Sequence, residues 1–394
     1  MSLNEKVSAE RVHIAFFGLR NAGKSSVVNK ITNQELSVVS DVKGTTTDPV
    51  KKAMELLPIG PVVIIDTAGI DDTGELGELR AQKTRKILNK TDIAVLVVDA
   101  TKGKQREDIE LIKDFEKRNI PYIIAFNKCD LIAEKQELPQ NEIYMSAKEN
   151  ININELKNLI GELSNTEKEE KTLLGDIIKK NDTVVLVTPI DSSAPKGRLI
   201  LPQQQTIREL LDIGATVVVT KDTELKETLS KFKNPPRLVI TDSQAFKKVN
   251  EIVPENIELT SFSILFARYK GELWGAVNGA DKLDELQNGD CVLISEGCTH
   301  HRQCGDIGTE KLPNWIKNYT KKDVKFDFTS GSDFPEDLKK YKLIIHCGAC
   351  MLTEREMKTR ISLSNEQQIP ISNYGIVIAK INGILDRATA SLRA

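Results

Sequence analysis

The sequence contains no long apolar segment and no excess of charge of either sign. No stretch approaches the roughly 18 uninterrupted apolar residues of a membrane-spanning helix, so no membrane association is predicted. Lysine and arginine total 55 against 57 aspartates and glutamates, and the formal charge of −2 argues against nucleic acid as a general partner. The polar N-terminal residues lack the apolar core of a signal peptide, so a cytoplasmic protein is expected.

Cysteine and histidine are scarce and unevenly distributed. The chain has six cysteines and four histidines, and most of them fall between Cys291 and Cys350. In a reducing compartment, clustered cysteines bind metal more often than they form disulfides. This concentration therefore predicts a metal site near the C-terminus, whereas the isolated Cys129 and the strand residue Cys291 are expected to be packing residues.

The chain length and the hydrophobic pattern predict an α/β protein of three domains. A length of 394 residues suits two or three domains. Apolar runs that alternate with amphipathic stretches predict a doubly wound α/β domain followed by two smaller αβ domains with mainly parallel sheets. With the motifs GLRNAGKS at 18–25 and NKCD at 127–130, the first is predicted to be a Ras-like P-loop G-domain. We place the three domains at 1–168, 169–260 and 261–394. No internal repeat is apparent from the sequence.

A phosphate-binding loop lies near the N-terminus. Residues 18–25 read GLRNAGKS and match G-x-x-x-x-G-K-[ST] between a predicted strand and a predicted helix. Backbone amides in such a loop bind phosphate oxygens at the positive end of the helix. Lys24 would bridge the β- and γ-phosphates, and the Ser25 hydroxyl would bind Mg²⁺. The other phosphate contacts are expected from Asn21, Ala22, Gly23 and Ser26.

Three further motifs identify the nucleotide as GTP. Residues 66–69 read DTAG, in which Asp66 would hold Mg²⁺ through water and the Gly69 amide would sense the γ-phosphate. In the NKCD motif at 127–130, Asp130 can accept from two guanine donors that adenine lacks, so guanine should be strongly preferred. The guanine contacts are expected from Asn127, Lys128, Asp130, Ser146, Ala147 and Lys148.

These motifs resemble the translation-factor-like GTPases, especially the branch of Era and the tRNA-modifying GTPase, over residues 10–165. Residues 44–48 read GTTTD and look like the switch segment of that branch, with Thr46 matching its Mg²⁺-binding threonine and Thr47 departing from the usual arginine. Ile70 stands where many GTPases carry a glutamine that orients water, so hydrolysis should be slow. Asn21 matches the asparagine that helps hold K⁺ in the potassium-activated relatives, and K⁺ stimulation is the resulting hypothesis.

The candidate metal ligands form the patterns C-x-H and H-C-x-x-C. Cys298 and His300 follow one predicted strand, and His346, Cys347 and Cys350 follow another. Open α/β sheets place ligands at the carboxyl ends of strands. Three cysteines and one histidine would suit a tetrahedral zinc site, whereas three cysteines alone would suit an iron–sulfur cluster with one exchangeable iron position. Two carboxylates that flank Cys298, those of Glu296 and Asp306, could also reach such an iron.

The combination of a G-domain, a middle αβ domain and these two motifs resembles the HydF family of GTPase maturation factors for iron-only hydrogenase. The resemblance covers the whole chain and implies that 169–260 form a dimerisation domain and 261–394 an iron–sulfur cluster-binding domain. It implies a 4Fe–4S cluster bound by Cys298, Cys347 and Cys350, with His300 and His346 as fourth ligand or close neighbours. It also implies a scaffold and carrier that receives a di-iron precursor from radical-SAM maturases, delivers it to apo-hydrogenase, and forms a homodimer or larger oligomer.

Two functions of other classes compete with this interpretation. The first is a regulatory GTPase that acts on RNA or ribosomes and carries a structural zinc site. The second is a redox enzyme that uses a cluster for electron transfer, although the sequence has no flavin or nicotinamide fingerprint. Iron content separates the first alternative from the carrier, and ligand exchange at the cluster separates the second.

Overall fold

A computed structural model describes residues 11–33, 50–57, 59–67, 83–165, 172–189, 199–271, 273–297 and 306–393. The chain divides into two compact units, Met1–Glu169 and Glu170–Ala394. Among the described residues, none of the helices has the length and apolar character needed to cross a membrane.

The first unit is built on a six-stranded sheet with the strand order β2-β3-β1-β4-β5-β6. Only β2 runs antiparallel to its neighbour β3, and the other strands are parallel. The strands are β1 (Val12–Phe17), β2 (Val50–Leu56), β3 (Gly60–Asp66), β4 (Ile93–Asp99), β5 (Tyr122–Asn127) and β6 (Glu142–Tyr144), and the helices are α1 (Lys24–Thr32), α2 (Arg106–Lys117) and α3 (Ile153–Asn165), with residues 83–88 also helical.

Both faces of this sheet are buried because successive side chains of a strand point to opposite faces. Phe16 packs with Val27 of α1 on one face. Its neighbour Phe17 packs with Leu111 and Phe115 of α2 on the other. The continuous apolar runs of the sequence therefore correspond to central parallel strands, as predicted, and the G-domain fold is confirmed.

The second unit contains two four-stranded parallel sheets, ordered β8-β7-β9-β10 and β12-β11-β13-β14. The first sheet comprises β7 (Thr183–Val187), β8 (Thr216–Thr220), β9 (Leu238–Thr241) and β10 (Glu258–Ser261), with helices α4 (Leu201–Ile213), α5 (Leu225–Ser230), α6 (Phe246–Ile252) and α7 (Phe262–Lys270). The second comprises β11 (Cys291–Glu296), β12 (Lys325–Ser330), β13 (Leu343–His346) and β14 (Ile371–Asn373), with helices α8 (Leu273–Asp281), α9 (Leu312–Thr320), α10 (Glu354–Glu366), α11 (Tyr374–Ile381) and α12 (Leu385–Ala390).

The two sheets share one hydrophobic core. Buried side chains from Leu173 at the start of the unit to Leu392 at its end belong to a single cluster. The further αβ architecture that the sequence predicted is thus present. The proposed division of this unit at residues 260 and 261 stays a prediction.

Candidate nucleotide and cluster sites

The phosphate-binding loop connects β1 to α1. At two of its glycines the backbone lies close to residues of neighbouring strands. Gly23 precedes α1 with φ 86°, and a Cβ atom there would lie 2.2 Å from Asn127 Nδ2. Gly18 has φ 148°, and a Cβ atom there would lie 2.3 Å from the carbonyl oxygen of Val97. Any side chain at either position would clash, so the glycines are required by the fold of the loop as well as by phosphate binding.

Two predicted magnesium ligands, Ser25 in the first turn of α1 and Asp66 at the end of β3, meet. The Ser25 hydroxyl donates to Asp66 Oδ2 at 2.8 Å, and Lys24 beside it is 8% exposed. The register that pairs Phe16 of β1 with Asp66 of β3 creates this proximity. A hydroxyl and a carboxylate in contact at the end of a helix are the oxygen ligands that Mg²⁺ prefers. Thr46 and Gly69, which complete the predicted catalytic set, lie outside the described residues.

Asn127 links two loops of the nucleotide site. Its Nδ2 donates to the carbonyl oxygen of Ala22 at 2.9 Å, and its Oδ1 accepts from the Ala147 amide at 3.0 Å. The side chain therefore joins the phosphate-binding loop to the loop that contains Ser146 and Lys148. Its position at the carboxyl end of β5 explains why an asparagine, with both a donor and an acceptor, is required there.

Lys128 is anchored by a residue that the sequence analysis did not single out. Its Nζ donates to the Asn21 carbonyl oxygen at 2.7 Å and to Asp99 Oδ2 at 2.6 Å. Burial raises the pKa of Asp99, but hydrogen bonds from Lys128 and Thr101 outweigh it and hold that pKa below its usual value. Asp99 ends the buried strand β4 directly beside Asn127, and a carboxylate at the end of an apolar run was the signal for it.

Asp130, the predicted guanine-binding carboxylate, is exposed. A hydrogen bond from the Ser146 hydroxyl lowers the pKa of Asp130, so the carboxylate stays ionised and able to accept from a guanine base. The preceding Cys129 is 2% exposed and faces the core, in keeping with a packing role. The described members of the predicted GTP site therefore lie on the loops that follow β1, β3, β5 and β6, at one edge of the sheet.

The candidate cluster site lies where two loops leave neighbouring strands. The pairing of Ser295 with His346 brings the ends of β11 and β13 together. Cys347 Sγ then accepts hydrogen bonds from the Gly297 amide at 3.0 Å and from the Ala349 amide at 3.4 Å. Because β11 connects to β12 on one side and β13 to β14 on the other, this is the crevice where open sheets bind ligands.

Gly297, which contacts Cys347, immediately precedes Cys298 in the sequence. Cys298 and His300 themselves lie outside the described residues. Within the described ranges, no three histidine, cysteine, aspartate or glutamate side chains approach closely enough to hold a metal ion. Burial and the neighbouring Cys350 raise the pKa of Cys347 to about 11, against the two amide hydrogen bonds. A bound cation would reverse this effect and favour the thiolate.

His346 is buried and its ring nitrogens are both in use. Nε2 lies 2.8 Å from Arg360 Nη1, and Nδ1 lies 3.0 Å from the Cys347 carbonyl oxygen. Arginine is always a donor, so Nε2 is the acceptor and Nδ1 carries the proton. Burial and the charge of Arg360 lower the pKa of His346 to about 3, so the ring is neutral. In this arrangement the Nε2 lone pair points to Arg360.

Arg360 is the centre of a buried polar network that the sequence did not reveal. It is 3% exposed, and its partner Glu356 is 4% exposed. Nη2 donates to Glu356 Oε1 at 3.1 Å and to the Gly331 carbonyl oxygen at 2.6 Å, while Nη1 also donates to Ser295 Oγ at 3.2 Å. The network therefore ties α10 to the ends of the strands from which both cysteine loops depart.

The loop of Cys347 and Cys350 is held from its other side by Lys270. Lys270 Nζ donates to the carbonyl oxygens of Ala349 at 3.3 Å and of Leu352 at 3.0 Å. Ala349 adopts a left-handed backbone with φ 54°, which is uncommon for a residue with a Cβ atom. The lysine is 4% exposed and comes from α7, so the loop is fixed by a helix that precedes β11 in the chain.

The two carboxylates that flank Cys298 differ in their contacts. The Tyr374 hydroxyl donates to Glu296 Oε1 at 3.3 Å, and burial, with Glu296 as the nearest charge, raises the pKa of Tyr374 above its usual range. Asp306 Oδ2 accepts from the amide and the hydroxyl of Thr309, both at 2.9 Å, and so caps the helical turn that follows. Glu296 is therefore the carboxylate nearer to the cysteine loops, and its charge adds to the raised pKa of Cys347.

Fold and site together define a P-loop GTPase domain followed by an α/β unit with a cysteine-bearing crevice. Family models agree with this description: a 50S ribosome-binding GTPase model matches residues 13–128, a hydrogen maturase F dimerization domain matches 173–271, and a hydrogen maturase F tetramerization domain matches 274–391. The two maturase models together cover more than half of the chain. The chain belongs to the hydrogen maturase F family.

Curated relatives and solved structures match mainly the G-domain. The chain is 32% identical over 161 residues to the tRNA modification GTPase MnmE of Streptococcus agalactiae, covering 40% of this chain and 34% of that protein. It is 30% identical over 199 residues to MnmE of Acetivibrio thermocellus, covering 48% and 43%. The chain thus spans well under half the length of these relatives. An Era variant of Aquifex aeolicus bound to GDP and AlF4⁻ has a TM-score of 0.35 at 20% identity, over 53% of this chain and 93% of that one.

Proposed function

We propose that this chain is a GTPase scaffold and carrier of a metallocluster in hydrogenase maturation. It would hold a 4Fe–4S cluster with one exchangeable iron position and deliver a di-iron precursor to apo-hydrogenase. The observation that carries the proposal is the hydrogen bond from the Gly297 amide to Cys347 Sγ, because it joins the two cysteine loops at the crevice of the second sheet. Membership of the hydrogen maturase F family supports it.

The residues of the crevice fit a cluster. Cys347 and Cys350 share one loop, and Cys298 follows the amide that already contacts Cys347. Amide donors aimed at a cysteine sulfur stabilise the thiolate that a metal requires. Three cysteines would hold the cluster and leave one iron for an exchangeable ligand, which is the chemistry that cargo transfer needs.

Two buried cationic side chains would hold the residues around the cluster in place. Lys270 fixes the carbonyl groups of the cysteine loop, and Arg360 holds His346 with its Nε2 lone pair occupied. His346 would thus hold the Cys347 loop through its hydrogen bond to the Cys347 carbonyl oxygen and would not bind iron. The exchangeable iron position would be filled by another ligand, such as His300 or Glu296. Four thiolates would close the site, whereas an open position allows both docking and release.

The G-domain would act as a two-state regulator of partner binding. Lys24 and the pair of Ser25 and Asp66 would bind the phosphates with Mg²⁺, and Asp130 would select guanine. Turnover would be slow and stimulated by K⁺ at Asn21. Ordering of the switch residues by the γ-phosphate would change affinity for the radical-SAM maturases and apo-hydrogenase. Homodimers or larger oligomers in the cytoplasm would be the working form.

Metal analysis and EPR of anaerobically reconstituted, reduced protein test this function. We expect a four-iron signal that shifts when an external ligand such as imidazole is added. Cys347→Ala should lose the signal, and the matched control Cys291→Ala, in the same sheet but away from the crevice, should keep it. Stoichiometric zinc without an iron signal would refute the carrier function and favour a regulatory GTPase with structural zinc.

A further inference from the structure

One buried cation contacts three neighbouring strands of the second sheet near their carboxyl ends. The Arg360 guanidinium donates to Ser295 Oγ of β11 at 3.2 Å and lies 2.8 Å from His346 Nε2 at the end of β13. It also donates at 2.6 Å to the carbonyl oxygen of Gly331, the residue after β12. The Cys347 amide in turn donates to the Ser295 carbonyl oxygen at 3.0 Å. The positive charge is therefore held where both cysteine loops start.

Water has little access to this charge. Arg360 and its carboxylate partner Glu356 are both buried. The ring of Phe334 covers the guanidinium, with its centre 5.0 Å from the guanidinium carbon. In surroundings of low dielectric constant, a charge acts more strongly on its neighbours and is screened less by salt. The charges of Arg360 and Glu356 should thus act on the crevice more strongly than charges at the surface.

Arg360 and Cys347 lie within electrostatic reach of each other. Burial lowers the pKa of Arg360, whereas the negative charges of Glu356 and of a Cys347 thiolate oppose this effect. The charge of Arg360 also contributes to the low pKa of His346, the residue next to Cys347. A candidate cluster ligand is therefore exposed to the field of the buried ion pair.

Stability alone does not explain an ion pair at this position. Taking two charges out of water is costly, and apolar residues of similar volume often stabilise a protein as well or better. A cluster bound by three thiolates carries a net negative charge that grows on reduction. A buried cation beside it favours the reduced form, and a buried anion favours the oxidised form, because net charge and burial set the potential of such clusters.

We propose that the buried charges of Arg360 and Glu356 set the reduction potential of the cluster at the Cys347 loop. Both are positioning residues that do not bind iron. The inference rests on the proposed carrier function, since it concerns the cluster of that proposal. Arg360 raises the potential and Glu356 lowers it. Their balance would keep the cluster in one oxidation state, so that incoming cargo meets an iron of constant charge.

A redox titration of the anaerobically reconstituted full chain, monitored by EPR, measures this potential. Arg360→Met should make the cluster harder to reduce, and Glu356→Gln should make it easier. Each change should alter the ratio of reduced to oxidised cluster at a fixed potential about tenfold, which equals about 59 mV for one electron. The double variant lacks both charges and should lie between the single variants. Titration at about pH 8, above the usual histidine pKa, keeps His346 neutral.

The chain offers a matched control on the exposed side of α10. Lys358 Nζ lies 2.8 Å from Glu354 Oε1 at the same i,i+4 spacing, and the two side chains are 63% and 37% exposed. Because water and salt screen these charges, Lys358→Met and Glu354→Gln should leave the potential unchanged.

The signs of the shifts decide the inference. Equal potentials, or shifts of the same sign, in Arg360→Met and Glu356→Gln would overturn it and leave the carrier function standing, since a purely structural network would not respond to the sign of the charge removed. If Arg360→Met assembles no cluster, Glu356→Gln decides alone: a higher potential supports the inference, and an unchanged or lower one overturns it. Absence of a four-iron signal in the unmodified protein would instead refute the carrier function, and the inference with it.

Discussion

Arg360 offers a test of how the cysteine loops are held. Its guanidinium has four partners: His346, Ser295, the Gly331 carbonyl group and Glu356. Arg360→Met would remove the cationic partner of the buried Glu356 carboxylate. Breaking a buried ion pair by removing one partner costs about 3–5 kcal/mol, so we expect the free energy of unfolding of the second unit to fall by that amount.

Tryptophan fluorescence during urea unfolding measures this loss. Both tryptophans of the chain, Trp274 and Trp315, belong to the second unit, so the signal does not include the G-domain. On the Arg360→Met background, Glu356→Gln removes the buried negative charge that has lost its cation and should return about 1–2 kcal/mol, as a double-mutant cycle would reveal. The salt bridge of Lys358 with Glu354 has the same i,i+4 spacing on the exposed side of α10, and Lys358→Met should cost less than about 1 kcal/mol.

Two results would refute this account of Arg360. A loss below about 1 kcal/mol would mean that the network is not coupled to folding. Simple additivity of the changes at Arg360 and Glu356 would mean that the two side chains do not stabilise each other.

Three further predictions follow from single residues. The folded-state pKa of His346 is about 3, below the usual 6.5, so its contribution to stability is complete above pH 6.5 and is lost as the pH falls towards 3. Between these pH values the free energy of unfolding should change by up to about 1.4 kcal/mol per pH unit. Urea titrations at several pH values should find a smaller change in His346→Gln. Asp130→Asn should weaken GTP binding by about hundredfold or more and favour xanthosine triphosphate, whose C2 oxygen can accept from an amide; equilibrium binding checks this. Val219 is 45% exposed on the edge strand β8. If this edge pairs with a second molecule of the protein, Val219→Lys should reduce dimer formation, as measured by light scattering.

The placement of the predicted nucleotide-site residues could be expected from the sequence because they lie in short motifs at strand ends. Each motif follows a run of apolar residues, and the parallel sheet brings those ends together. Asn127 therefore ends β5 and Ser25 begins α1, and the structure adds their hydrogen-bond partners. Asp99 was missed because a single carboxylate after an apolar run has no motif around it.

The network that supports the cysteine-bearing crevice could not be predicted in this way. Arg360 and Glu356 are four residues apart on a helix, a spacing that is typical of a surface ion pair. Their burial depends on contacts with Ser295 and Gly331, which belong to other strands far away in the chain.

The crevice depends on residues from both maturase-family segments. Lys270 belongs to the segment matched by the dimerization model, and the cysteine loop that it holds belongs to the segment matched by the tetramerization model. Helix α12, near the C-terminus, packs on β10 of the first sheet, and α8 packs on β14 of the second. Buried side chains around both sheets belong to one hydrophobic core. A single unit from residue 170 to the C-terminus is the physical consequence, and the geometry at Cys347 is set by the whole of it.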